Sequence, residues 1–360
     1  MIRMSAIVRH GMILALIAVV AAAVLIAIGL FPVSARLGHL PGVGWLLHTT
    51  YQRSVDFWSA GIDPPPLDDP ALVQLGAAHF ESGCRACHGA PGIPNGALAA
   101  AMLPPPPHIT HAIKGWDDAE LYWIVREGVK MSGMPHWPAV ARDDEPWALV
   151  AFLRRVPRIR GTEYIRLAQA PAGRVAELGA IGRVANCARC HGMDGVPPMP
   201  GVVPRIDGLS AAYLAQTLRA YAARRRDSGI MAVQAVGLSE TEIAALARYY
   251  AAAPVAAMTV AAPTKPALVE QGRRIALGVS ARRLPVCAAC HGPGTRPKSP
   301  LFPVLAGQPQ VYLARQLHFF RARNRGGTSH VTLMFPIARQ LEDEDIDALA
   351  AYYASLRRGG

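Results

Sequence analysis

The longest uninterrupted apolar stretch lies at the N-terminus. Between Gly11 and Ala35 no residue carries a charge, and Ile, Leu, Val and Ala dominate. A hydrocarbon core needs about 20 such residues in a helix, whereas a secretory h-region is commonly about 7–15. Arg3 and Arg9 precede the stretch, and the next basic residue is Arg36. This bias predicts a cytoplasmic N-terminus with everything after the span exported. The competing reading is a cleaved signal peptide, because Val33-Ser34-Ala35 resembles a small-residue cleavage site. Length favours the uncleaved anchor, and either way the bulk of the chain is exported.

Beyond residue 35 the apolar positions follow a helical period. Ile243, Leu246, Ala247 and Tyr250 form an i, i+3, i+4, i+7 stripe, and Ile346, Leu349, Ala350 and Tyr353 repeat it. Ser239 with Glu242 has capping-box spacing before the first stripe. The acidic run Glu342 to Asp345 suits the N-terminus of the second. Asp143, Asp144, Glu145 and Pro146 open a third such helix, with Leu149, Phe152, Leu153 and Val156 on one face. No useful stretch alternates with the period of a strand, so the expected fold is all-α. Asp63 to Pro70 reads as a stiff spacer, and Pro157 to Pro171 and Pro254 to Pro266 read as linkers.

The 360 residues allow roughly two or three domains. The net charge of +12 suggests nucleic acid or an acidic partner surface. Lys and Arg are scattered with no nucleic-acid-reading motif, so no nucleic acid is expected. The charge is graded along the chain: −1 over residues 33–160, +3 over 161–262 and +8 over 263–360. The basic C-terminal part, around Arg321, Arg323 and Arg325, is a candidate for docking an acidic patch.

The six cysteines decide the chemistry. They fall into Cys84-Arg85-Ala86-Cys87-His88, Cys187-Ala188-Arg189-Cys190-His191 and Cys287-Ala288-Ala289-Cys290-His291, with none left over. The histidines stand 103 and 100 residues apart, the mark of an internal repeat. C-x-x-C-H is the attachment sequence of c-type haem. Two thiols one helical turn apart can reach the two vinyl groups of one porphyrin, and the adjacent histidine can meet the iron. Three disulfides would not require this pattern. A zinc ribbon needs its pairs about 15–20 residues apart, and a thioredoxin-like site needs a βαβ context. Three covalently bound haems c are therefore expected.

Each iron needs a second axial ligand, and methionine sulfur suits an electron carrier. Met334 is the only methionine after the third attachment sequence, and Met231 occupies the equivalent place in the second repeat. Met193 and Met199 follow His191 too closely to wrap a ring, and Met258 follows the terminal helix. In the first repeat Met131 and Met134 compete. Met134 is favoured because Pro135 holds its backbone extended. Met134, Met231 and Met334 lie 40–46 residues after their histidines. His318 and His330 remain rivals in the third repeat, and His108, His111 and His136 read as surface or haem-edge residues. A carbonyl of the proline stretches at Pro104 to Pro107, Pro204 and Pro303 could accept the other ring N–H of each attachment histidine.

Over residues 70–357 the chain resembles class I c-type cytochromes. Phe302-Pro303-Val304-Leu305-Ala306-Gly307-Gln308, Tyr312-Leu313 with Gln316-Leu317, Phe320, Arg325 and Met334 resemble a diheme cytochrome c of the c-four type. The second repeat keeps Tyr213-Leu214 and Leu218 but has Ile206-Asp207-Gly208 in place of Leu305-Ala306-Gly307. Gly128 to Pro135 resembles a separate single-haem type. The apolar stretch sets an anchor over 1–35, a juxtamembrane segment and Pro-rich spacer fill 36–70, and the resemblance implies three tandem class I domains over 71–157, 172–254 and 266–357. The diheme likeness implies that the last two pack on each other and exchange electrons.

The function expected is one-electron relay on the periplasmic side of a bacterial inner membrane. His/Met ligation fills both axial positions, so neither catalysis nor a small-molecule substrate is expected. The partners would be a quinol-oxidising complex and a terminal oxidase or reductase. The alternative is the cytochrome subunit of a sugar, alcohol or aldehyde dehydrogenase that feeds quinone.

Overall fold

The structure is a computed structural model that describes residues 6–30, 33–169, 183–199, 201–256, 265–280, 284–292 and 297–358. Met258, residues 172–182 of the expected second domain and most of the 254–266 linker lie outside them. The regular elements of the described residues are all helices, and a single Ala90–Ile93 bridge is their only strand-like pairing.

Helix α1 (Ala6–Ala27) carries the N-terminal apolar stretch. Its Val8–Ala27 segment has a mean hydropathy of 2.6 and buries nothing against the rest of the chain. Helix α2 (Val43–Ser59) follows, with Tyr51 edge-on to Trp116 at 5.5 Å. Trp45, Leu46, Phe57 and Trp58 on α2 remain exposed.

The first helical unit contains α3 (Pro70–Gly83), α4 (Arg85–His88), α5 (Ala97–Ala100), α6 (Ile109–Ala112), α7 (Asp118–Glu127), α8 (Glu145–Leu153) and α9 (Gly161–Ala168). Asp69 caps α3 by accepting from the Ala71 N–H at 2.9 Å, with Pro70 in the first turn. Asp117 and Glu120 close a capping box on α7. The core centres on Phe80, Phe152 and Tyr164, whose ring centroids lie 5.4–6.2 Å apart. Burial of each such ring stabilises the unit by about 1.5–3 kcal/mol. Tyr164 lies on α9, in the stretch expected as a linker. Burial of that ring and its 2.6 Å hydrogen bond to Glu81 fold the stretch back onto α3. The Pro and Ala content concealed a helix held by one aromatic anchor.

The second unit contains α10 (Val184–His191), α11 (Ala211–Ala222), α12 (Gly229–Ala235) and α13 (Glu240–Ala251). The third contains α14 (Pro266–Ala276), α15 (Ala288–His291), α16 (Gln310–Arg321), α17 (Val331–Ala338) and α18 (Asp343–Ser355). The expected capping box Ser239/Glu242 opens α13, and Glu342 with Asp345 opens α18. The two units share a core in which Leu209, Tyr213, Leu214 and Tyr250 meet Val304 and Ala306. Gln308 adds a two-way bond to the Arg205 backbone, accepting at 3.0 Å and donating at 2.8 Å. Asp207, fully buried, binds Arg205 of its own unit and Arg358 of the other.

Candidate functional site

The three attachment sequences adopt one local geometry. Each ends in a short helical turn that finishes at the histidine and is followed by a glycine with positive φ: Gly89, Gly192 and Gly292. The histidine then turns its Nδ1 onto a proline carbonyl. His88 reaches Pro107 at 2.8 Å, His191 reaches Pro204 at 3.0 Å and His291 reaches Pro303 at 3.1 Å. A carbonyl can only accept, so Nδ1 carries the proton in all three rings. Nε2 is left with a lone pair, oriented and ready for a metal. Burial pushes the pKa of His191 and His291 down, against the pull of those carbonyls, which keeps both imidazoles neutral.

The cysteines are unpaired in all three repeats. Burial pushes the Cys84 and Cys190 thiols up to about 12 and those of Cys187 and Cys287 up to about 11.

One continuous, mostly apolar cavity runs through the second and third units. Cys187, His191 and Met231 line one part, and Cys287, Cys290, His291 and Met334 line the other. Met231 sits on α12 and Met334 on α17, both half-buried. His330 also lines this cavity, whereas His318 does not and is bonded to Arg321 at 3.1 Å. In the first unit Met131 is 78% exposed with a positive φ, and Met134 is half-buried. Met199 is fully buried.

Two arginines at the cavity went unrecognised as a pair in the sequence. Arg226 and Arg325 are both buried and line it, yet neither has a carboxylate partner among the described residues. Arg226 donates to the Tyr312 hydroxyl at 3.3 Å and lies over Tyr221. Arg325 donates to the Gln316 carbonyl oxygen at 2.6 Å and lies over Phe320. Two buried cations that repel each other call for an anion. Haem supplies two propionates, so the residues present fit it: thiols and imidazole on one wall, thioether sulfur on another, cations at the polar end. The signal was available, since Arg226 and Arg325 stand 99 residues apart, as do Tyr213 and Tyr312. Of the three arginines expected to dock an acidic patch, Arg323 is exposed and Arg321 half-buried, whereas Arg325 turns into the cavity. Arg325 is only 7% exposed, and Arg321 is tied to Asp343 at 2.5 Å and to the Leu341 carbonyl at 3.1 Å.

Comparison with known proteins gives the same picture. Residues 71–153 match the family described as cytochrome c oxidase, cbb3-type, subunit III, and residues 281–357 match cytochrome c. The thiosulfate dehydrogenase electron acceptor of Thiomonas intermedia is 34% identical, over 48% of this chain and 78% of its own. Cytochrome c4 of Pseudomonas aeruginosa is 31% identical, over 48% of this chain and 85% of its own. The crystal structure of reduced cytochrome c4 from Pseudomonas stutzeri covers 49% of this chain and 97% of its own, at 30% identity and a TM-score of 0.44.

Proposed function

The chain belongs to the class I c-type cytochromes and has a c4-like diheme region, and from that premise we propose a membrane-anchored, three-haem relay of single electrons in a respiratory chain. Cys84 and Cys87, Cys187 and Cys190, and Cys287 and Cys290 hold the three haems. His88 with Met134, His191 with Met231, and His291 with Met334 supply the axial ligands. Haem supplies a reversible one-electron couple. The protein's part is to fix the ligands, exclude water and set the potential through charge and hydrogen bonds. The observation that carries the reading is the repeated imidazole-to-proline-carbonyl bond, which orients all three histidines as metal ligands.

The apolar helix α1 supports a membrane anchor. The exposed Trp45, Phe57 and Trp58 on α2 suit the headgroup region next to it. The electron donor in this reading is a quinol-oxidising complex, and the acceptor is a terminal oxidase or reductase. The likeness to a thiosulfate dehydrogenase electron acceptor favours a second reading, in which a periplasmic dehydrogenase supplies the electrons. Cross-linking in native membranes separates the two: quinol-oxidoreductase or oxidase subunits support the first, a dehydrogenase subunit the second. Haem-to-protein stoichiometry on the purified chain should give three. A value of two would remove one attachment site from the reading.

The buried arginines give a prediction on potential. A cation near the iron disfavours the ferric state, so Arg325→Leu should lower the potential of the haem it faces by about 60 mV, a tenfold change in a one-electron equilibrium. Spectroelectrochemical titration measures it. A rise, or no change, would remove Arg325 from the haem's surroundings.

A further inference from the structure

The seam between the first and second units is built from segments that bear the proposed axial methionines. In the first unit Met134 is followed three residues later by Trp137, whose backbone N–H is pinned to the Arg126 carbonyl at 2.8 Å. The Trp137 indole lies against Gly229, so closely that a methyl group there would overlap the indole nitrogen. Gly229 begins α12, which carries Met231. Glu145, only 3% exposed, ties the two sides together. Its carboxylate accepts from Trp137 Nε1 at 3.0 Å, Gly229 N at 2.7 Å and Ser228 Oγ at 2.5 Å. Ser228 Oγ in turn accepts from Met231 N at 3.1 Å. On the attachment side, Arg189, between Cys187 and Cys190, donates to Ser82, two residues before Cys84, at 2.9 Å. The third unit meets the first only through α16 among these contacts, by Arg315 on Asp144 and Phe319 under Arg142, and α16 bears no proposed ligand.

We propose that electrons pass between the first and second units through the Trp137 indole, which Glu145 holds against the methionine-bearing helix α12. This rests on the relay and ligand set proposed above. One electron leaves the ferrous iron of one unit and reduces the ferric iron of the other. The indole bridges without being oxidised, and no proton moves. The second unit becomes the middle of the relay, and the third exchanges electrons with the first through it. Glu145 is a positioning residue.

The test uses the full-length haem-loaded chain. Electrons are introduced below stoichiometry by flash photoreduction. Samples are freeze-quenched, and each ferric haem is counted by its own electron paramagnetic resonance signal. Near-infrared magnetic circular dichroism reports methionine ligation separately. Trp137→Leu should slow equilibration between the first and second haems by about tenfold or more, as small misplacements commonly do. The second-to-third rate and all methionine signatures should be unchanged. Trp137→Phe should recover part of the rate. Gly229→Ala, which pushes the indole aside from the other side of the seam, should reproduce the slowing. Wild-type rates in both Trp137→Leu and Gly229→Ala would overturn the proposal. So would slowing accompanied by loss of a methionine signature, which would leave Trp137 a packing role alone. Absence of the methionine signature at the first or second haem of the unaltered chain would instead sink the ligand set, and this route with it.

Discussion

Replacing Asp207 by Ala should destabilise the paired second and third units by about 3–5 kcal/mol, the range for breaking a buried ion pair by removing one partner. Asp207 has no solvent exposure, and the arginines on either side of it are 5% and 2% exposed. Arg205 Nε donates to it at 2.9 Å, and Arg358 Nη1 donates at 3.0 Å from the far end of the chain. Burial pulls Arg358 down to about 10, and the Asp207 carboxylate opposes that pull. Without the carboxylate two guanidinium groups would remain buried with no anion beside them. The loss should reach beyond one domain, because Arg358 also donates to the Ala306 carbonyl at 2.6 Å and to the Asp207 carbonyl. Denaturant unfolding of the haem-loaded chain measures the effect. Asp207→Asn keeps the shape and one acceptor but not the charge, and should fall between Ala and the parent. A loss below about 1 kcal/mol for Asp207→Ala would mean that water or a counter-ion reaches the arginines.

Gly272→Ala is expected to destabilise the third unit by about 1–3 kcal/mol, although helix propensity alone argues the other way. In a free helix the change from Gly to Ala is worth about 1 kcal/mol in favour of Ala. Here α14 crosses α18 at this residue, and an added methyl would overlap the Ala348 carbonyl oxygen and press on Tyr352 Cβ at 2.8 Å. A backbone oxygen inside a helix cannot rotate away, so the helices must separate. Gly76 meets the Ala148 carbonyl and Phe152 Cβ of α8 in the same way, so Gly76→Ala should act equally on the first unit. Calorimetry should show the transition of the paired second and third units moving down for Gly272→Ala and that of the first unit for Gly76→Ala, since a multidomain chain melts in more than one step. A higher transition temperature for Gly272→Ala would show that the two helices have room for the methyl group.

The local signals were legible because they are local. The capping boxes at Asp117, Ser239 and Glu342 fix where helices start through side chains three residues apart. Of these the sequence reading named Ser239 and the acidic run at Glu342, and missed Asp117. The proline carbonyls expected to accept from the attachment histidines do so in all three repeats. The helix at Gly161–Ala168 was missed because its cause, the burial of Tyr164 under α3, lies about 80 residues away in sequence. The role of Glu145 was missed for the same reason. In sequence it is one of three acids that suit a helix N-terminus. In the fold its partners Ser228 and Gly229 come from a chain segment more than 80 residues on.

The sequence by itself determined the chemistry. The haem c chemistry rests on residue types at short, fixed spacings, which the triple C-x-x-C-H repeat displays directly. The helical class followed too, from periodicity and caps that act within a few residues. Only the tertiary structure decided how the units meet: which arginines are buried without an acid, which carboxylate joins two units, and which side chain bridges the seam. Those outcomes depend on long-range packing, where burial turns an ordinary Arg, Asp, Glu or Trp into a group whose partner must come from a distant part of the chain.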